Sequence, residues 1–268
     1  MCSMAFAQIE VSLELKNKKV LLHESVDARV KIVNNSSEAI RIGGDGVAGS
    51  LDLYIVDALG GLVRRREGGQ LFAGTIMIEP WMEKVVSIDM LSAYDFSKAL
   101  PYALVAIVTW QGEKYNSAKV YMDVVSGMLI KSIYNRIVGR DDVMKKYSLL
   151  YLHREGHTYI FLRVENKEND VCYGVYKLGT YIRIQDADMA FDNAGRLHIL
   201  YQSAPGRFTY HRLSKYGMPE EKKFYSGSTG SIRLQRVSGQ DLRLIGGKEY
   251  KGDTYTPAYE HDNSHVIE

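Results

Sequence analysis

Cysteine is nearly missing from this chain of 268 residues, with only Cys2 and Cys172 present. If the first residues are removed in maturation, one thiol remains, and a single thiol makes no intrachain disulfide. An excess of either charge is missing too, at 34 Lys+Arg against 32 Asp+Glu. Before Ser126 there are 13 basic and 15 acidic residues, and from it onward 21 and 17. Neither half carries the clustered positive face that nucleic acid requires, so no nucleic-acid partner is expected. No apolar run approaches the ~20 residues of a membrane-crossing helix, so no membrane span is expected. Proline is scarce, at 5. The length suffices for one large or two ordinary domains with a true core.

Tyrosine, by contrast, is abundant. There are 19, of which 14 lie beyond Ser126. Tyrosine suits pleated, half-buried surfaces and also stacks on ligands, so the count alone does not separate core from binding face. Near the start, Ala5-Phe6-Ala7 precedes Gln8 in an A-x-A pattern. That pattern matches the end of a secretory signal peptide and sets the expectation of an exported, periplasmic or secreted protein, with residues 1–7 as the remnant.

From residue 8 to 125 almost every segment alternates with period two. "IEVSLEL" (9–15), "SLDLYIVD" (50–57), "GLVRRR" (61–66), "KVVSIDM" (84–90), "YALVAIVTW" (102–110) and "SAKVYMDV" (117–124) read as strands, with turn signals such as Asn34-Asn35-Ser36-Ser37 and Gly60-Gly61 between them. Seven to nine short strands in so few residues predict a β-sandwich. Tyr102 opens the longest apolar strand, after a helical turn in "YDFSKAL". With this pattern and this corner, 8–125 resembles a bacterial immunoglobulin-like domain, one without a disulfide pair. The resemblance implies that the Tyr102 hydroxyl returns to nearby backbone, and it implies no particular activity.

Residues 126–146 change character. Leu129, Ile130, Ile133, Tyr134, Ile137 and Val138 fit either a short helix or an irregular strand connecting two domains. Beyond them, 147–251 repeats. "YSLLYLHREGHTYIFLRV…VCYGVYKLG", "ADMAFDNAGRLHILYQS…RFTYHRLSKYG" and the shorter "GSIRLQRVSGQDLRLIGGKEY" each run strand, tight turn, strand. This region resembles β-propeller repeats. Closure of a ring takes more blades than three, so the meanders are expected to fold on each other and on the sandwich. Residues 252–268 are polar and without period, as in a flexible tail. The fold expected is therefore all-β, an immunoglobulin-like sandwich followed by a three-unit propeller-like β-meander region.

The chemistry-bearing candidates each have a plainer explanation. "FDNAGRLHIL" is similar to the hairpin box of sialidase-like propellers, but Asp192 precedes Gly195 by three positions, and Asp192 and Asn193 read as turn formers. "HREGH" (153–157) would place two histidines on one face of a helix, yet its flanks are strands, so a hairpin turn is expected. "GDGVAG" (44–49) precedes a strand and not the helix that a dinucleotide fingerprint needs. Cys172 sits in an apolar-aromatic strand and reads as packed. Asp186 and Asp188 are a carboxylate pair beside a loop, where solvated charge is the usual role. No coherent catalytic set, no metal site and no cofactor is expected.

The surface most suited to binding is the aromatic and histidine-bearing part of the second repeat, His198, Tyr201, Tyr210 and His211. Cross-strand packing pairs are the competing explanation of the same residues. The functional expectation is an exported, non-enzymatic binding or interaction protein whose partner is an envelope protein or a glycan. A carbohydrate-active or carbohydrate-binding protein is the alternative, and a protease-inhibiting loop at 43–49 or 65–75 is a third. A monomer is expected, with a dimer as the alternative.

Overall fold

The computed structural model describes residues 8–43, 49–69, 71–136, 144–169, 171–215, 217–237 and 241–251. Residues 1–7, expected as a signal-peptide remnant, residues 252–268, expected as a tail, and most of "GDGVAG" lie outside the described residues. The chain is nearly all β and divides into two compact units, Met1–Ser126 and Gly127–Glu268. Among the described residues no helix is long and apolar enough to cross a membrane.

The first unit contains β1 (Ile9–Leu15), β2 (Lys19–Leu21), β3 (Asp27–Asn34), β4 (Ile40–Ile42), β5 (Ser50–Asp57), β6 (Ile76–Ile78), β7 (Glu83–Asp89), the single turn α1 (Met90–Ala93), β8 (Pro101–Trp110), β9 (Glu113–Asn116) and β10 (Val120–Val125). They form a sheet in the order β1-β3-β7, a second in the order β2-β10-β8-β5 with β9 continuing beside β8, and the small pair β4-β6. Period-two alternation sends one set of side chains inward. Leu13, Val30 and Ile88 of one sheet and Leu53, Leu104 and Met122 of the other meet in a single core. "GLVRRR" differs from expectation: Leu62 and Arg65 make only isolated bridges, so no strand forms there. The helical turn falls at Met90–Ala93, just ahead of "YDFSKAL", because the Asp89 side chain accepts from the Leu91 N–H and caps it.

Two polar side chains tie the ends of this core. Asn34 continues the inward face of β3, is fully buried, and donates to the carbonyls of Glu38, Ile78 and Glu79 at 2.8, 3.1 and 3.1 Å. The Tyr102 hydroxyl donates to the Lys98 carbonyl at 2.8 Å, the return to backbone expected for that corner.

The second unit begins with β11 (Met128–Arg136), β12 (Met144–Arg154), β13 (His157–Asn166) and β14 (Cys172–Thr180), an antiparallel sheet in chain order. Of the two readings left open for 126–146, the irregular strand is the one observed over Met128–Arg136, with a register shift between Leu129 and Lys131, while Ile137 and Val138 lie outside the described residues. Next come β15 (Asp188–Phe191), β16 (Leu197–Ala204), β17 (Arg207–Leu213) and β18 (Pro219–Ser226), again in chain order. The hairpin β19 (Arg233–Val237) and β20 (Asp241–Ile245) forms its own pair, and β21 (Lys248–Tyr250) returns to β18. Gly246 makes that return feasible: its φ is +80°, and a Cβ there would lie 2.0 Å from the Ser231 carbonyl oxygen.

Two sheets and a hairpin therefore stand where three repeats were expected. The repeat boundary also moves by one strand. The turn Glu155-Gly156 joins the second and third strands of the first sheet, and its counterpart in the second sheet is Pro205-Gly206, not the Asp192–Gly195 turn. The glycine pattern alone did not distinguish the two tight turns of the second sheet.

The second sheet is buried on both faces. Leu197, Ile199 and Leu213 pack with Leu149, Ile160 and Leu162 of the first sheet, while Leu200 and Phe208 pack with Ile232, Leu234 and Leu244 on the other side. Gln202 lies in this region at 1% exposure, with neither amide atom hydrogen-bonded among the described residues.

Two stability predictions follow from the geometry. Tyr102→Phe removes one hydrogen bond from a closed corner and should cost about 1 kcal/mol in urea unfolding. Gln202→Met replaces an unpaired amide with an apolar side chain of similar volume and should raise stability by about 1 kcal/mol in the same assay. A loss on Gln202→Met would show that the amide is satisfied.

Candidate functional site

His198, Tyr201, Tyr210 and His211 are all buried, at 2–6% exposure, and they divide between the two faces of the second sheet. On one face, the Tyr210 hydroxyl lies 2.7 Å from His198 Nδ1, and His198 Nε2 lies 3.1 Å from Asp192 Oδ2. On the other, the Tyr201 ring stacks on His211 with an interplanar angle of 13°, and its hydroxyl donates to the Leu178 carbonyl at 2.8 Å. The four residues thus form two internal pairs, and no shared surface reaches solvent. The alternation that suggested a binding face belongs to a strand covered on both sides.

Asp192 organises the "FDNAGRLHILY" hairpin. Its carboxylate accepts from the Arg196 backbone N–H at 2.8 Å and from Arg196 Nε at 2.6 Å. Burial alone would raise its pKa, but the Arg196 backbone and side chain and His198 outweigh that and hold it below the usual carboxylate range. The turn-forming role assigned to Asp192 is the one observed. "HREGH" is likewise a two-residue turn, with Glu155 and Gly156 at φ 52° and 76°, so its histidines share no helical face. Among the described residues, no group of His, Cys, Asp and Glu could hold a metal ion. Burial pushes the Cys172 thiol up to about 11, which leaves it protonated at neutral pH.

An open cleft of the second unit, with a volume of about 410 Å³, lies elsewhere. Small-molecule sites occupy roughly 300–1,000 Å³, so this volume is sufficient for a ligand. Ile130 and Leu200 supply apolar lining, and Lys131, Gln185, Asp186, Asp188 and Arg233 supply polar groups. Lys131 Nζ lies 2.6 Å from Asp188 Oδ1, which also accepts the Met189 N–H. The Gln185 amide is fixed at both ends, donating to the Ile232 carbonyl and accepting from the Gly230 N–H. Asp186 is exposed, and Arg233 reaches Gln235 at 3.2 Å. The structure thus brings the carboxylate pair Asp186 and Asp188 into a cleft, with Asp188 committed to an ion pair. Lys131 and Arg233 escaped the sequence reading because they arrive from β11 and β19, which no local spacing connects to Asp186 and Asp188; Gln185 adjoins Asp186, and only its two backbone contacts mark it as part of the site.

No family model matches the chain, and no curated protein matches it. Among solved structures the chain is similar to Spo0M, a sporulation control protein from Bacillus subtilis, at 14% identity over 59% of this chain and 80% of that one, with a TM-score of 0.28. A likeness at that level supports no argument here.

His211 yields a pH prediction. Burial, with Lys222 opposite, lowers its pKa from 6.5 to about 3. Between those values the unfolded chain binds a proton that the folded chain refuses, so this residue makes stability fall as pH drops from 6.5 towards 3. In His211→Gln the slope of unfolding free energy against pH should be shallower across that window. An unchanged slope would mean that other groups govern the acid limb.

Proposed function

We propose that the protein is a non-enzymatic binding or interaction protein of the bacterial envelope, periplasmic or secreted, built from an immunoglobulin-like sandwich and a propeller-like pair of sheets. Support for the sandwich reading comes from strand order: β1-β3-β7 against β2-β10-β8-β5 encloses one core, and the tyrosine corner at Tyr102 closes it. Support for the propeller-like reading comes from two antiparallel four-strand runs in chain order that pack face to face. Export rests on the A-x-A pattern before Gln8.

The observation that carries the binding reading is the cleft of Lys131, Gln185, Asp186, Asp188 and Arg233. Its two cations and two carboxylates balance beside an apolar lining, and its amide and one carboxylate are pre-positioned by backbone contacts. Such a site holds a polar, near-neutral ligand at little ordering cost. Carbohydrate binding is the second reading, favoured by the exposed rings of Tyr173 and Tyr176 on β14.

The test is a thermal-shift screen of the full chain against neutral oligosaccharides, cell-wall fragments and short peptides. A ligand of the native state should raise the melting temperature with concentration, by mass action. Asp186→Ala and Arg233→Ala should each reduce the shift. A ligand whose shift ignores both substitutions would remove the cleft from the proposal.

A further inference from the structure

A β-bulge on β14 gathers aromatic side chains outside the cleft. Cys172 pairs with Glu165 and Gly174 with Val164, so Tyr173 is the extra residue of the bulged strand. An extra residue breaks the alternation and re-aims its side chain. Tyr173 thereby joins the face of Tyr147: Lys145, two residues from Tyr147 on β12, places its ammonium 4.7 Å from the Tyr173 ring centroid. Tyr176 shares this neighbourhood. The missing Cβ of Gly174 leaves room for its ring, whose hydroxyl lies 2.8 Å from where that Cβ would stand.

Behind these two rings Tyr147 is buried and packs edge-to-face on Phe191, with centroids 5.0 Å apart. Burial pushes the Tyr147 hydroxyl up to about 12, and the Tyr176 and Tyr173 hydroxyls are close enough to act in the same direction. Tyr173 and Tyr176 remain 37% and 43% exposed. The patch therefore combines two exposed tyrosine rings with the Lys145 ammonium, and among the described residues no carboxylate forms an ion pair with Lys145.

We propose that Tyr173, Tyr176 and Lys145 form a binding platform for an acidic glycan, the rings taking the apolar face of a sugar and the lysine its carboxylate. This deepens the carbohydrate reading and does not use the cleft. Tyrosine supplies a flat apolar face with a polar tip, matched to a pyranose ring and its hydroxyls. The Lys145 ammonium, which has no ion pair among the described residues, selects a carboxylated sugar over a neutral one.

The experiment is calorimetric titration of the full chain with oligogalacturonate, its methyl ester and a neutral cello-oligosaccharide. Oligogalacturonate should bind, and the methyl ester about tenfold more weakly. Tyr173→Ala and Tyr176→Ala should each weaken binding about tenfold. Lys145→Gln, which removes the charge and keeps both tyrosine rings, should bring acid and ester to equal affinity. Acid binding that ignores these three substitutions but responds to Asp186→Ala overturns the platform and leaves the carbohydrate reading standing. Failure of all three glycans to bind overturns both. Equal competition by hexaglutamate overturns the glycan in favour of an acidic peptide.

Discussion

The second unit depends on one constraint: the sheet built around β16 and β17 is packed on both faces, so every polar group on it must find its partner inside the protein. An unpaired buried group costs about 1–3 kcal/mol. The chain meets this by pairing across strands and across sheets. On one side Asp192, His198 and Tyr210 form a hydrogen-bonded line that begins at the turn and ends beneath the β19–β20 hairpin. On the other, Tyr201 spans from β16 to the Leu178 carbonyl on β14 and joins the two sheets. Gln202 is the place where the rule is not met among the described residues.

The same constraint explains what could and could not be read from sequence. Strand existence was legible nearly throughout, because period-two alternation directly reports a face turned to a core. The Tyr102 corner was legible because its partner lies only four residues away. Burial on both faces was not. A strand such as "LHILYQSA" reads the same whether its histidine and tyrosine face solvent or another sheet, since both environments accept an amphipathic ring. The decision lies in which sheets stack, and no local pattern carries that.

Candidate sites followed the same division. Asp186 and Asp188 stood out as a pair because they are neighbours in sequence. Their companions come from β11 and β19, roughly fifty residues away on either side, and only the packing of three elements brings them together. The aromatic platform was hidden for another reason. "VCYGVY" looks like an ordinary strand, on which Tyr173 and Tyr176 would face opposite ways. One bulge reverses that parity, and a bulge has no reliable signature when the residues around it are otherwise strand formers.

The pairing of β2 with β10 has a consequence for the order in which the chain acquires its structure. Residues 19–21 lie parallel to 123–125, so one of the first strands must wait for the last before its edge is filled. Until about a hundred further residues have been made, β2 has no partner in its sheet, and the first unit completes late for its size. The second unit is different. Its two meanders pair each strand with its sequence neighbour, and the loops to be closed are short. On a nascent chain, the meanders can form strand by strand as they emerge, while the first unit closes only when its final strand arrives.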